Sequence, residues 1–157
     1  MLTAVGVSGL LSLSGAGAAL AAPALQSGSA GSTSAAGGVL YTGKTSQNKN
    51  FILVRRGNVV KKVKWGWKAH CLSGKTLKLS TKATNIPVNA SGKWSASGHY
   101  RVRLRNGYRA HVFGAIDGKF PTLNKVKGFF KMKAKIYKNG AHVDTCTTHV
   151  QAYFANA

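Results

Sequence analysis

Acidic side chains are nearly missing from this chain. Asp117 and Asp144 are the only two in 157 residues, against 23 lysines and arginines, for a formal net charge of +21. That scarcity removes whole classes of chemistry. Glycoside hydrolysis needs two carboxylates flanking one bond, and Asp117-Gly118 reads more simply as a turn. His142 and Asp144 share a strand parity, which could orient an imidazole, but no nucleophile accompanies them. There is no Gly-x-Ser-x-Gly elbow. Gly74-Lys75-Thr76 ends like a phosphate-binding loop, yet Ala69 stands where the first glycine is required. The expectation is a non-enzyme with no catalytic residue and no cofactor.

Cysteine is almost as scarce, with only Cys71 and Cys146. Zinc sites usually take four ligands at short spacings, and Cys146-Thr-Thr-His149 sends its Cys and His to opposite faces of a strand. The five histidines (His70, His99, His111, His142 and His149) are scattered with no helical i,i+4 pair, so no metal site is expected. Free thiols remain an alternative, but a Cys71–Cys146 disulfide is the better reading. Closing so long a loop would stabilise the domain by roughly 4 kcal/mol in the chain-entropy model.

No segment makes a convincing helix, and period-two alternation dominates; a helical reading of Lys125–Tyr137 does gather Val126, Phe129, Phe130, Ile136 and Tyr137, but strand is the better reading. In Lys125–Tyr137, Val126, Gly128, Phe130, Met132, Ala134 and Ile136 fall on one parity. Lys125, Lys127, Phe129, Lys131, Lys133 and Lys135 fall on the other. A strand sends alternate side chains to opposite faces, so this segment buries one face and shows a lysine ladder on the other. A helix would put Lys133 in its apolar stripe and Gly128 in its interior.

The remaining strands follow the same logic. Phe51–Val54 is a short apolar run before an Arg55-Arg56-Gly57-Asn58 turn. Val63, Trp65, Trp67, Ala69 and Cys71 alternate with Lys62, Lys64, Gly66, Lys68 and His70, which places the tryptophans and the bridge inside. Leu77 and Leu79 also point inward. Ile86-Pro87-Val88 is an edge strand or strand end, because proline donates no ladder hydrogen bond. Trp94 follows a turn at Ser91-Gly92, and Lys138-Asn139-Gly140 is a hairpin turn. The last strand is expected to put Cys146, Thr148, Val150, Ala152 and Phe154 inward.

Parity decides the hairpin at Asn106-Gly107. A two-residue loop would pair Leu104 with Arg109 and mix apolar and charged residues on each face. A three-residue loop with Gly107 left-handed pairs Leu104 with Tyr108, Val102 with Ala110 and Tyr100 with Val112. It also sets Arg103 against Arg109 and Arg101 against His111. Like charges directly opposite are destabilising, so folding gains nothing from this arrangement and a bound anion would explain it.

Met1–Ala22 is an apolar, small-residue run leading into Pro23 through Ala19-Leu20-Ala21-Ala22, which fits an export signal over residues 1–21 cleaved after Ala21. No Lys or Arg precedes the run, which leaves an upstream start or an uncleaved anchor open. Residues 22–38 read as an Ala/Ser/Gly linker, and residues 39–157 as the folded domain. Every basic residue lies from Lys44 onward, so the charge belongs to that domain.

Tyr41-Thr-Gly-Lys-Thr-Ser-Gln47, Ile86-Pro87-Val88 and two cysteines with one near the end resemble a group of small secreted actinobacterial β-sandwich proteins, mostly uncharacterised. Where that group has a Cys-x-Thr-Gly ending followed by a Trp, this chain has Cys146-Thr-Thr-His149 and Tyr153. The resemblance implies export and sandwich architecture, and it carries over no catalytic residue or ligand.

The expected protein is therefore an all-β antiparallel sandwich, immunoglobulin-like or jelly-roll-like, with one disulfide, an export signal and a flexible linker. It would be secreted, bind an anionic polymer or an anionic cell surface, and take no small-molecule cofactor. Its candidate binding residues are Arg101, Arg103, Arg109, His111, Lys127, Phe129, Lys131, Lys133 and Lys135. Phe129 is singled out because an exposed aromatic among cations suits contact with a base, a sugar ring or lipid. A cationic structural or membrane-active exoprotein is the alternative. The sequence sets neither the anion nor the oligomeric state.

Overall fold

A computed structural model describes Leu2–Thr3 and residues 37–157. The expected export signal over 1–21 and linker over 22–38 lie outside those residues, apart from Leu2–Thr3 and Gly37-Gly38. Among the described residues there are ten strands: β1 (Leu2–Thr3), β2 (Val39–Thr45), β3 (Asn50–Arg56), β4 (Val59–Cys71), β5 (Thr76–Pro87), β6 (Lys93–Arg103), β7 (Tyr108–Thr122), β8 (Lys125–Lys138), β9 (Ala141–Thr147) and β10 (Gln151–Asn156). Among the described residues there is no α-helix, and Arg105–Gly107 forms a 3-10 turn.

All pairings are antiparallel, and the path runs β1-β5-β4-β3-β2-β10-β8-β7-β6. β9 pairs with both β4 and β8, which joins the two halves of the sheet at one end. The halves face one another across a common core in which the Trp65 and Phe130 rings lie 6.2 Å apart. The fold is thus all-β and antiparallel, a single curled sheet packed on itself like a sandwich.

β8 is the central element. Its full length pairs with β7 on one edge, while β10 and then β9 occupy the other. Burial alternates strictly from Lys125 to Ile136, with every apolar-parity residue inside and every lysine outside. Trp65, Trp67, Phe51, Leu53, Val112, Phe130 and Met132 complete a close-packed interior. Within it the Trp67 indole donates to Thr81 Oγ1 at 2.8 Å, and Thr81 Oγ1 also lies 2.8 Å from the Tyr100 hydroxyl. This buried polar chain crosses from β4 through β5 to β6, and its donors and acceptors satisfy one another.

Cys71 and Cys146 sit opposite each other in the β4–β9 pairing and are bonded at an S–S distance of 2.04 Å. Cys146 is fully buried and Cys71 half-buried. The β6–β7 hairpin has the three-residue loop that parity required. Arg103 faces Arg109, Arg101 faces His111, and Gly107 is left-handed at φ 76°. Leu104 N–H donates to Tyr108 O across the loop.

Two expectations are corrected. Asp117-Gly118 is not a turn, because β7 runs unbroken through it to Thr122. Gly118 and Gly128 face each other across β7 and β8, and both point inward where the Tyr153 hydroxyl fills the space a Cβ would need. Glycine is there for close approach and does not break the strand.

The last strand also departs from simple alternation. Cys146 and Thr148 are buried as expected, but Val150, Ala152 and Phe154 are exposed while Tyr153 and Ala155 are buried. The β8 register explains the reversal. Ala134 faces Cys146, whereas Phe129 faces Ala152, so one extra residue enters between β9 and β10. Such a bulge flips every later side chain to the other face. Thr148 anchors it, since its N–H donates to Met132 O and its Oγ1 accepts from Met132 N–H.

Candidate polyanion-binding face

The site follows from the strand registers. Because β7 pairs with both β6 and β8, the arginine hairpin and the lysine ladder share one outward surface. Arg101, His111 and Lys135 form one row across β6, β7 and β8, and Arg103, Arg109 and Tyr137 form the row beside it. His99, Phe113 and Lys133 make the next row. Lys131 and then Phe129 follow down β8, and Lys93, Lys119 and Lys127 close the series. All nine residues singled out from the sequence lie on this face. His111 is half-buried and the other eight are exposed, Phe129 at 54%.

The Arg103–Arg109, Arg101–His111–Lys135 and Lys93–Lys119–Lys127 rows place basic groups at the spacing of cross-strand neighbours, where each like-charged pair costs a few tenths of a kcal/mol or more. The effect registers on His111. Partial desolvation, then the positive charges of Arg101, His99 and Lys135, hold its pKa below the usual imidazole value. Shallow depressions open among these groups: one of about 230 Å³ lined by Arg101, Val102, Arg103, Arg109 and His111, and one of about 420 Å³ lined by Arg109, His111 and Tyr137 with three turn residues. A forked guanidinium suits phosphate, sulfate or carboxylate oxygens, and lysines add diffuse attraction.

Asp117 is the single acid on the β7 part of this face, opposite Phe129. Asp144 lies elsewhere and is committed to structure. It accepts from the Ser73 hydroxyl, from Thr145 N–H at 2.8 Å and from Ser73 N–H at 3.4 Å. The Ser73 hydrogen bond, aided by those backbone N–H groups, holds its carboxyl below the usual range. His142 does not join it: a register shift separates the two, and His142 Nε2 instead lies 3.0 Å from Thr145 Oγ1.

Sequence reasoning missed His99, Phe113, Tyr137, Lys93 and Lys119. The parity was legible, but Asp117-Gly118 read as a turn and the strand was followed no further than Val112. Gly114 is another inward close approach, against Met132. A second outward basic surface also went unrecognised. In the β4–β5 pairing Lys64 faces Lys82 and Lys68 faces Lys78. That surface has no arginine among those pairs and lacks the fork geometry of the β6–β8 face. Comparison with protein-family models, with curated proteins and with solved structures finds no match.

Proposed function

We propose that this protein is a secreted, non-catalytic binding module for a polyanion: a nucleic acid, a teichoic acid or an acidic polysaccharide. One observation carries the reading. Arg101, Arg103, Arg109, His111 and Lys135 are nearest neighbours on an exposed sheet face whose register opposes like charges. A fold that holds cations together against their repulsion gains from a ligand that neutralises them. The Cys71–Cys146 disulfide supports an oxidising, extracellular setting.

Binding would be charge-driven. With about six phosphate contacts, affinity for duplex DNA should fall roughly a thousandfold between about 50 and 200 mM salt. The test is a titration series with DNA, heparin, teichoic acid and anionic vesicles at those two ionic strengths. A flat salt response for every probe removes the proposal.

Exposed Phe113, Phe129 and Phe154 beside lysines favour a second reading, a cationic exoprotein acting on membranes. Leakage of anionic vesicles at protein concentrations too low to retain DNA or heparin would select it.

A further inference from the structure

The end of the basic face away from the arginines holds a cavity of about 890 Å³. That is within the range of small-molecule sites. Lys93, Lys119 and Lys127 all line it, and they are consecutive cross-strand neighbours on β6, β7 and β8. Gly118 and Gly128 line it as bare backbone, and the buried Trp94 and Tyr153 belong to its lining. Phe129 and Phe154 form further lining and are 54% and 46% exposed. Trp94 is 4% exposed. One acid, Asp117, lies on the wall.

We infer that this cavity binds a single-chain anionic amphiphile, with its phosphate or carboxylate head on Lys93, Lys119 and Lys127 and its hydrocarbon chain against Trp94, Phe129 and Phe154. Each half of the lining needs the other half of the ligand. Three aligned lysines repel one another and call for an anion, while the aromatic wall gives a purely hydrophilic ion nothing to bury. A neutral hydrocarbon would leave the lysines uncompensated. Asp117 opposes the head group, so it lowers affinity and disfavours occupants that spread negative charge along the wall. This site takes Lys93, Lys119, Lys127 and Phe129 from the far end of the basic face and none of the arginines, so it does not depend on the polyanion reading.

The experiment titrates the full chain with monomeric dodecyl phosphate below its micelle concentration, read by calorimetry and tryptophan fluorescence. Dodecanol and inorganic phosphate serve as the half-ligand arms. The expected result is saturable one-to-one binding at least about tenfold tighter than either arm, a difference of about 1.4 kcal/mol. Lys119→Glu should weaken it about tenfold or more, Ala152→Trp should block it, and Asp117→Asn should tighten it. Arg103→Glu should weaken heparin binding and leave dodecyl phosphate unchanged, which separates failure of this site from failure of the polyanion reading. Should Ala152→Trp not fold, Lys93→Glu at the exposed edge strand takes its place. Dodecanol or inorganic phosphate binding as tightly as dodecyl phosphate would overturn the inference. So would indifference to Lys119→Glu, or weaker binding on Asp117→Asn.

Discussion

Arg103→Glu separates folding from binding, because the two respond in opposite directions. Arg103 faces Arg109 directly across the β6–β7 ladder, and both are exposed. The substitution replaces a repulsive pair with an attractive one, worth about 0.2–1 kcal/mol for cross-strand neighbours and near the low end in physiological salt. A domain of about 120 residues has an unfolding entropy near 0.25 kcal/mol per kelvin, so its melting temperature should rise by about 1–4 °C. Binding should weaken at the same time. The new carboxylate removes one contact and pairs away Arg109, which takes about six phosphate contacts to about four. The slope of log affinity against log salt then moves from about −5.4 to about −3.6. The loss of DNA affinity between about 50 and 200 mM salt shrinks from roughly a thousandfold to about 150-fold. Calorimetric melting and fluorescence anisotropy with a labelled duplex read the two quantities. A variant that melts lower, or that binds with an unchanged salt slope, refutes the reasoning.

Other consequences follow from the same structure. The Cys71–Cys146 bridge spans 75 residues, so Cys71→Ala with Cys146→Ala should cost about 4.5 kcal/mol by denaturant titration; a loss below about 1 kcal/mol would contradict the entropic account. Gly128→Ala drives a Cβ onto the Asp117 carbonyl and the Tyr153 hydroxyl, so it should destabilise by about 3 kcal/mol or prevent folding, and a neutral effect in chemical denaturation would show that the inward packing is misread. The folded His111 pKa lies below 6.5. Its contribution to stability is therefore present above about pH 6.5 and lost as pH falls below it. A bound polyanion reverses the bias by favouring the protonated ring, so heparin affinity should be higher at pH 5.5 than at 7.5, with the pH difference reduced in His111→Gln; no pH dependence in the parent protein argues against His111 in the site. Finally, moderate salt should raise the melting temperature of the free domain by screening its +21 charge; a fall would show that self-repulsion is not limiting.

Much of the architecture could be read from parity. Strict alternation over Lys125–Ile136 fixed both faces of β8, and the Arg105-Asn106-Gly107 loop followed from the need to keep one face apolar. Local patterning failed where a residue's reason lay in another strand. Asp117-Gly118 looked like a turn because the Tyr153 side chain that requires the glycine comes from β10. The bulge between β9 and β10 is set by Met132 of β8 gripping Thr148, and nothing within residues 148–150 announces it. Strand order was equally hidden. The lysine ladder and the arginine hairpin read as two separate basic faces, and only the β7–β8 pairing makes them one. The amphiphile cavity draws its lining from the β5–β6 connection and five strands, so no single stretch carried its signature.

The central claim is that the β6–β7–β8 face holds the polyanion, and lysine footprinting tests it most directly. The protein is acetylated briefly with and without saturating heparin at low salt, and each lysine is quantified by mass spectrometry. The account predicts strong protection of Lys131, Lys133 and Lys135, with Lys62, Lys64, Lys68 and Lys78 on the β4–β5 surface reacting much as in the free protein. Uniform protection of both surfaces, or protection confined to the β4–β5 lysines, would contradict it.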